Sequence, residues 1–297
     1  MEKRHQWQIK KQWICNTSGI VSGISMLINS ITNPGEKIIL QTPVYFSFFP
    51  MIENNGRRLV ENPLKFEDGS YQMDFEDLEN KIDSKTRLLI LCSPHNPVGR
   101  VWSEEELRKL GEICFNNGVK IVSDEIHSDL IYPENKHIPF ASLGKTFKNN
   151  SITCTSPSKT FNFPGLEPGN LIIPNEEIRN SFKHTLMQNG INHPNIFAIE
   201  AVKAAYYQGE EWLEQLLTYL KGNLEFLQGY IKENIPEIKV IKPEGTYLVW
   251  LDFREIGIKG EELEKVLKKE VKVALTPGYS FGKGGQGFQR INIGCPR

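Results

Sequence analysis

The sequence predicts an α/β protein: a large domain built on a mainly parallel sheet flanked by helices, followed by a smaller α+β domain. Three observations carry this. EKIILQ at residues 36–41, RLLILC at 87–92 and VKIVS at 119–123 are short apolar runs of the kind found in strands buried on both faces. An amphipathic segment lies between the last two, and strand, helix, strand at this spacing is a βαβ unit. After about residue 200 the pattern changes to a long helical stretch and then short strands, which divides the chain into residues 1–205 and 206–297.

Each element has its local signal. Ser103 followed by Glu106 is a capping box that starts the helix; Leu107, Leu110, Ile113 and Cys114 fall on one face, and Gly118 ends it. Helical periodicity then runs from about residue 199 to 235, with Gly209 as a break. Beyond Pro236 come the strands IKVI and YLVWLD, a charged helix over about Glu261 to Glu270, and a final strand QRINIG.

Composition narrows the functions. Of 297 residues, 39% are hydrophobic and 24% charged, which is globular usage. Lys plus Arg number 35 against 36 Asp plus Glu, so there is no broad field to attract nucleic acid or an anionic membrane. The cysteines, Cys15, Cys92, Cys114, Cys154 and Cys295, show no metal-ligand spacing and read as small buried residues in a reducing compartment. No run reaches membrane-spanning length and the start lacks a signal-peptide core, so a cytoplasmic location is expected.

Ligands of open α/β sheets sit at the carboxyl ends of the strands, so the strand exits hold the candidate chemistry. Thr17-Ser18-Gly19 opens an amphipathic segment whose first amides could seat an anion, or could form a plain helix start. Residues 36–41 lead to Tyr45, a packing residue or a stacking platform. Residues 87–92 lead to Ser93-Pro94-His95-Asn96-Pro97, where Asn96-Pro97 is a candidate cis bond. The third run leads to Asp124-Glu125-Ile126-His127; a solvated acidic loop is the plain reading, and Asp124 with His127 lacks a third metal ligand. Asp124 nevertheless ends an apolar run, where a carboxylate is costly unless a cation faces it. Finally, ITCT leads to Ser156-Pro157-Ser158-Lys159, a lysine that is either a surface charge or a reactive amine.

The order SGIV, TPVY, PHNPVG, SDEIH, TSPSKTFN, QRINIGCPR resembles the pyridoxal-phosphate enzymes of the class I/II aminotransferase superfamily, fold type I, and within it the cystathionine β-lyase branch of carbon-sulfur lyases. The resemblance runs from about Trp13 to Arg297. It implies pyridoxal 5'-phosphate as cofactor and a role for each exit. Lys159 matches the lysine that bonds the cofactor and moves the substrate α-proton; Asp124 matches the partner of the pyridine nitrogen. Asn96 matches the donor to the ring's phenolic oxygen, and His127 stands where a second such donor is found. Tyr45 matches the stacking aromatic. Gly19 with the amides of Ile20 and Val21, and the hydroxyls of Ser156 and Ser158, match the phosphate cup. Arg290 matches the arginine that clamps the substrate carboxylate. No metal is expected.

The implied reaction is α,β-elimination from cystathionine or a related S-substituted cysteine, giving thiol, pyruvate and ammonia, in a homodimer acting on small amino acids. Transamination shares the early steps and is the alternative. Many aminotransferases carry an arginine eight residues after the lysine; here that residue is Glu167, which favours the lyase and raises a question about phosphate binding. Family members also carry further residues before the SGIV segment and a helix after CPR, so a shortened, non-catalytic homologue is a second alternative. Ser156-Pro157-Ser158-Lys159 also fits the S-x-x-K of serine acylases, but S-D-N is missing and Lys283-Gly284-Gly285 is a poor K-T-G.

Overall fold

The structure, a computed structural model, describes residues 1–191, 193–258 and 260–296. In chain order its strands are β1 (Ile14–Ser18), β2 (Lys37–Leu40), β3 (Arg58–Glu61), β4 (Lys65–Glu67), β5 (Ser70–Gln72), β6 (Thr86–Cys92), β7 (Lys120–Asp124), β8 (Ser151–Thr155), β9 (Pro168–Ile172), β10 (Lys239–Ile241), β11 (Leu248–Asp252), β12 (Thr276–Pro277) and β13 (Phe288–Asn292). Seven of them form one sheet in the order β1-β9-β8-β7-β6-β2-β3. Pairing is parallel from β8 through β3, and β9 is antiparallel to both β8 and β1. The exits of β1, β2, β6, β7 and β8 therefore share one edge, and β9 begins there. A second sheet, β10-β11-β13-β12, is antiparallel throughout.

The three apolar runs are strands because their side chains are buried on both faces. Ile38, Ile90, Val122, Ile152 and Leu171 pack with Ile24, Leu27 and Ile28 of the Ile20–Ile31 helix. On the other face Ile39, Leu89, Leu91 and Ile121 pack with Leu107, Leu110, Ile113 and Cys114 of the Glu104–Asn116 helix. That helix has the expected cap: Ser103 Oγ accepts the Glu106 amide at 3.2 Å and Glu106 Oε2 accepts the Ser103 amide at 2.8 Å. The second sheet is covered by Leu213, Leu220, Leu224 and Ile231 of the long Glu210–Asn234 helix. It is also joined to the main core, because Trp250 of β11 stacks on Phe288 of β13 at 5.3 Å and donates to the Tyr71 hydroxyl at 3.0 Å.

Several expectations shift in detail. The helical stretch divides at Gly209 into Ile196–Gln208 and Glu210–Asn234. A Cβ there would sit 2.3 Å from the Phe161 ring, so the break is also a close approach. The charged helix covers Gly260–Val266 and loosens into a wider turn over Leu267–Val271. Strand β9 has no expectation behind it, since Pro168-Gly169 reads as a turn; proline is admitted because it opens the strand. Cys15, Cys92, Cys114 and Cys154 are buried free thiols as expected, but Cys295 is exposed, lying past the last strand where nothing covers it enough to bury it. Among the described residues no helix is long and apolar enough to cross a membrane.

Because the Ser103–Glu106 box satisfies two orphan amides at the start of a core-covering helix, Ser103→Ala should cost about 1 kcal/mol, read as a lower midpoint in urea unfolding with unchanged slope.

Candidate active site

The shared sheet edge is fastened together by its own loops. Three cis bonds, Thr42-Pro43, Ser93-Pro94 and Asn96-Pro97, shape the exits of β2 and β6, the last of them as expected. His95, buried between these loops, donates from Nε2 to the Pro43 carbonyl at 2.9 Å and lies edge-on to Trp102. Burial lowers its pKa to about 4, with the bond to Pro43 acting the other way, so it is neutral and structural. Tyr45 is half-buried, edge-on to Phe48 at 5.5 Å.

The exit of β7 carries the unusual charge. Asp124 pairs in register with Cys92 of β6 and Cys154 of β8, and is 4% exposed. Burial raises its pKa to about 7; the Ile126 amide, donating to Oδ1 at 3.3 Å, pulls down, Glu125 pushes up, and the Lys159 ammonium pulls down. The reading of this stretch as a solvated acidic loop thus gives way to a buried one. His127 is buried with its Nδ1 unpartnered, and burial, then the positive charges of Lys159 and Arg290, lower its pKa to about 3. Its ring lies edge-on to Tyr247 at 5.8 Å.

Arg290 comes from β13 of the second sheet. Its Nη1 donates to Asn96 Oδ1 at 2.9 Å, its Nη2 lies 3.4 Å from Thr276 Oγ1, and its guanidinium sits 4.9 Å from the Phe281 ring centre. Burial lowers its pKa, while the nearby Tyr45 and Tyr247 work upward. Asp124, His127, Lys159, Arg290, Asn96 and Tyr45 are therefore linked by contact or by charge.

The remaining exits meet at the start of β9. Gly19, at φ +86°, caps the Ile20–Ile31 helix with no side-chain cap, leaving the first-turn amides of Ile20 and Val21 to outside partners. Its own amide donates to the Glu167 carbonyl at 2.6 Å. Ser156 Oγ lies 2.6 Å from the Pro168 carbonyl and 2.8 Å from Ser158 Oγ, and accepts the Ser158 amide. Its single proton is thus committed within the protein, and Ser158 is the half-buried hydroxyl of the two. Gly169 permits this convergence: a Cβ there would lie 2.5 Å from Thr17 Oγ1 and 2.8 Å from the Gly19 backbone. The Glu167 side chain is exposed, so the acid found eight residues after Lys159 is screened by water.

Tyr247 has no sequence signal beyond an aromatic after a glycine turn. Thr246, a β-branched residue at φ +71°, donates its amide to the Leu130 carbonyl at 2.6 Å, which brings Tyr247 against His127.

The buried Asp124 gives a pH signature. Between 3.8 and about 7 the unfolded chain releases this proton while the folded chain keeps it, so stability present below that window is lost as pH rises through it. In ligand-free protein, Asp124→Asn should abolish this loss, an effect of at most about 4 kcal/mol above neutrality, seen as urea midpoints that no longer fall with pH.

The family model for aminotransferase class I and II matches residues 1–297. Cystathionine β-lyase PatB of Bacillus subtilis (strain 168) is 46% identical over 99% of this chain and 76% of its own. Cystalysin of Treponema denticola, whose crystal structure contains a pyridoxal 5'-phosphate cofactor, superposes with a TM-score of 0.97 at 38% identity, covering 100% of this chain and 75% of that one. The pyridoxal-phosphate-bound C-S lyase of Staphylococcus hominis gives 0.92 at 34%, covering 99% and 75%. With a full-length family match, and with relatives this similar over most of their own length, the chain belongs to the class I and II aminotransferase family.

Proposed function

We propose that this protein is a pyridoxal-phosphate-dependent carbon-sulfur β-lyase that splits cystathionine or a related S-substituted cysteine into thiol, pyruvate and ammonia. The observation that carries the reading is the convergence of Lys159, Asp124 and Arg290 at one sheet edge, in a chain related to a cystathionine β-lyase and to C-S lyases.

The residues suit the cofactor on their own chemistry. A carboxyl group buried at the end of β7, with its pKa raised to about 7, is suited to face a protonated ring nitrogen. The orphan Nδ1 of His127 is a buried polar atom in want of a partner, and the uncapped helix start at Gly19 is suited to a phosphate. In this reading Asp124 holds the ring nitrogen, Asn96 and His127 the phenolic oxygen, and Tyr45 the ring face. Gly19, Ile20 and Val21 hold the phosphate with Ser158, and Ser156 orients Ser158. When bound, pyridoxal phosphate supplies an electron-withdrawing ring that stabilises negative charge at the substrate Cα.

The protein's part is to bind, orient and move one proton. Arg290 holds the substrate carboxylate in the bidentate geometry of a guanidinium, with Asn96 fixing its orientation. Lys159 takes the proton from Cα, and a Cα–Cβ double bond forms as the thiolate leaves Cβ and picks up a proton from solvent. Water hydrolyses the released aminoacrylate to pyruvate and ammonia. Elimination is preferred to transamination because the relatives above are lyases, and the exposed Glu167 in place of arginine agrees.

The same reading assigns residues 1–205 to the cofactor-binding domain and 206–297 to the small domain, with Gly209 near the junction. A cytoplasmic location suits the free thiols. A homodimer suits the exposed Ile196, Phe197, Tyr207 and Phe226 on the two helices beside Gly209.

Purified protein supplied with pyridoxal phosphate should release pyruvate and ammonia from cystathionine with no keto acid added. Lys159→Ala should lower that rate by about three orders of magnitude. A wild-type protein that converts the amino acid only when a keto acid is supplied would make it an aminotransferase. Arg290→Lys should raise KM and cut kcat/KM by about tenfold or more, since an ammonium cannot replace two parallel N–H donors.

A further inference from the structure

Behind the site runs a line of polar side chains, buried at Glu125, His137 and Thr160 and part-buried at His5 and Asp129, that the proposed chemistry does not use. It begins at Glu125, the residue after Asp124, whose fully buried carboxylate accepts from Ser123 Oγ and from the Phe140 amide, both at 2.9 Å. His137 Nε2 lies 3.0 Å from Glu125 Oε2, and its ring meets the edge of His5 with centroids 5.3 Å apart. His5 Nε2 lies 3.1 Å from Asp129 Oδ1, with Arg4 Nε 3.7 Å from the same oxygen. Asp129 Oδ2 in turn accepts from the hydroxyl of Thr160 at 3.2 Å. Thr160 is buried, and it is the residue after Lys159.

The two ends of this line are peptide-bonded to the two residues the proposed chemistry most needs. The backbone around Lys159 closes on itself, with the Phe161 amide donating to the Pro157 carbonyl and the Phe163 amide to the Ser158 carbonyl. Such a turn is rigid within itself, but its placement against β7 needs an outside contact, and the Thr160 hydroxyl supplies one from the segment that also carries His127. Asp129 suits the task as an ionised acceptor. Burial works to raise its pKa, but the bond from His5, the charges of His5 and Arg4 and the Thr160 hydroxyl together hold it below the ordinary carboxylate range. Charged acceptors make the stronger hydrogen bonds.

We propose that Asp129, acting through the Thr160 hydroxyl, is a positioning residue that sets the Lys159 amine against Asp124, and that Arg4 and His5 at the start of the chain serve as its support. The inference rests on reading Lys159 as the residue that bonds the cofactor, and it adds a contact between the first residues of the chain and the reacting end of the sheet.

The test uses the full chain loaded with pyridoxal phosphate, with Thr160→Val, Thr160→Ser and Asp129→Asn beside the wild type. Valine keeps the shape and removes the hydroxyl; serine keeps the hydroxyl. Thr160→Val and Asp129→Asn should lower kcat for pyruvate release about tenfold with KM little changed, as misplacement of a reacting group does. They should also shift the visible absorbance of the bound pyridoxal phosphate, and Thr160→Ser should restore both. A valine variant matching the wild type, or a serine variant as impaired as the valine one, would overturn the proposal. A wild type that binds no pyridoxal phosphate sinks the functional reading instead. The positioning claim is then decided by competitive acetylation of the ligand-free chain with peptide mass spectrometry. The Lys159 labelling rate should rise in Thr160→Val and not in Thr160→Ser, and equal rates in all three proteins would refute it.

Discussion

A carboxylate closed off from water at the end of a central strand is the constraint around which the rest of this molecule is arranged. Asp124 follows Ile121 and Val122, stands in register with two buried thiols, and is held by an amide that only partly offsets its desolvation. Nothing in folding alone favours an acid at that position over a small apolar residue. The surrounding features become intelligible once the acid is taken as fixed: a lysine on the next strand exit, a histidine kept neutral three residues on, and an arginine brought from a different sheet.

That second sheet is more than an appendage. Trp250 and Phe288 pack into the same apolar cluster as Leu89 and Leu91, so β13 is held firmly enough for Arg290 to meet Asn96 at hydrogen-bond distance. Asn96 is itself fixed from behind, its amide bonded to the Cys92 sulfur and its loop pinned through His95 to the exit of β2. Arg290 thus inherits its rigidity from the apolar stacking beside it, since Trp250 is its register partner on β11.

Much of this was legible in the sequence because the signals were local. Three strands, a capped helix, the break at Gly209 and the five exit motifs each occupy a few consecutive residues, and the side chains they name do gather at one edge. What the sequence concealed depends on contacts between distant segments. Strand β9 begins with Pro-Gly and is a strand only because β1 and β8 flank it. Tyr247 is at the site because Thr246 bonds Leu130, and Thr160 matters because Asp129 lies beside it. The burial of Asp124 could be suspected from the run before it, but the two thiols beside it follow from register alone.

The spread of the site along the chain has its own consequence for how the protein is made. Asn96 and Arg290 stand 194 residues apart in the sequence, yet their side chains meet at 2.9 Å. Contacts so distant carry a large loop-closure cost that must be met before they give any return. During synthesis, therefore, the sheet bearing Asp124 and Lys159 is complete in sequence long before the guanidinium exists, and this contact cannot close until Arg290 has been made.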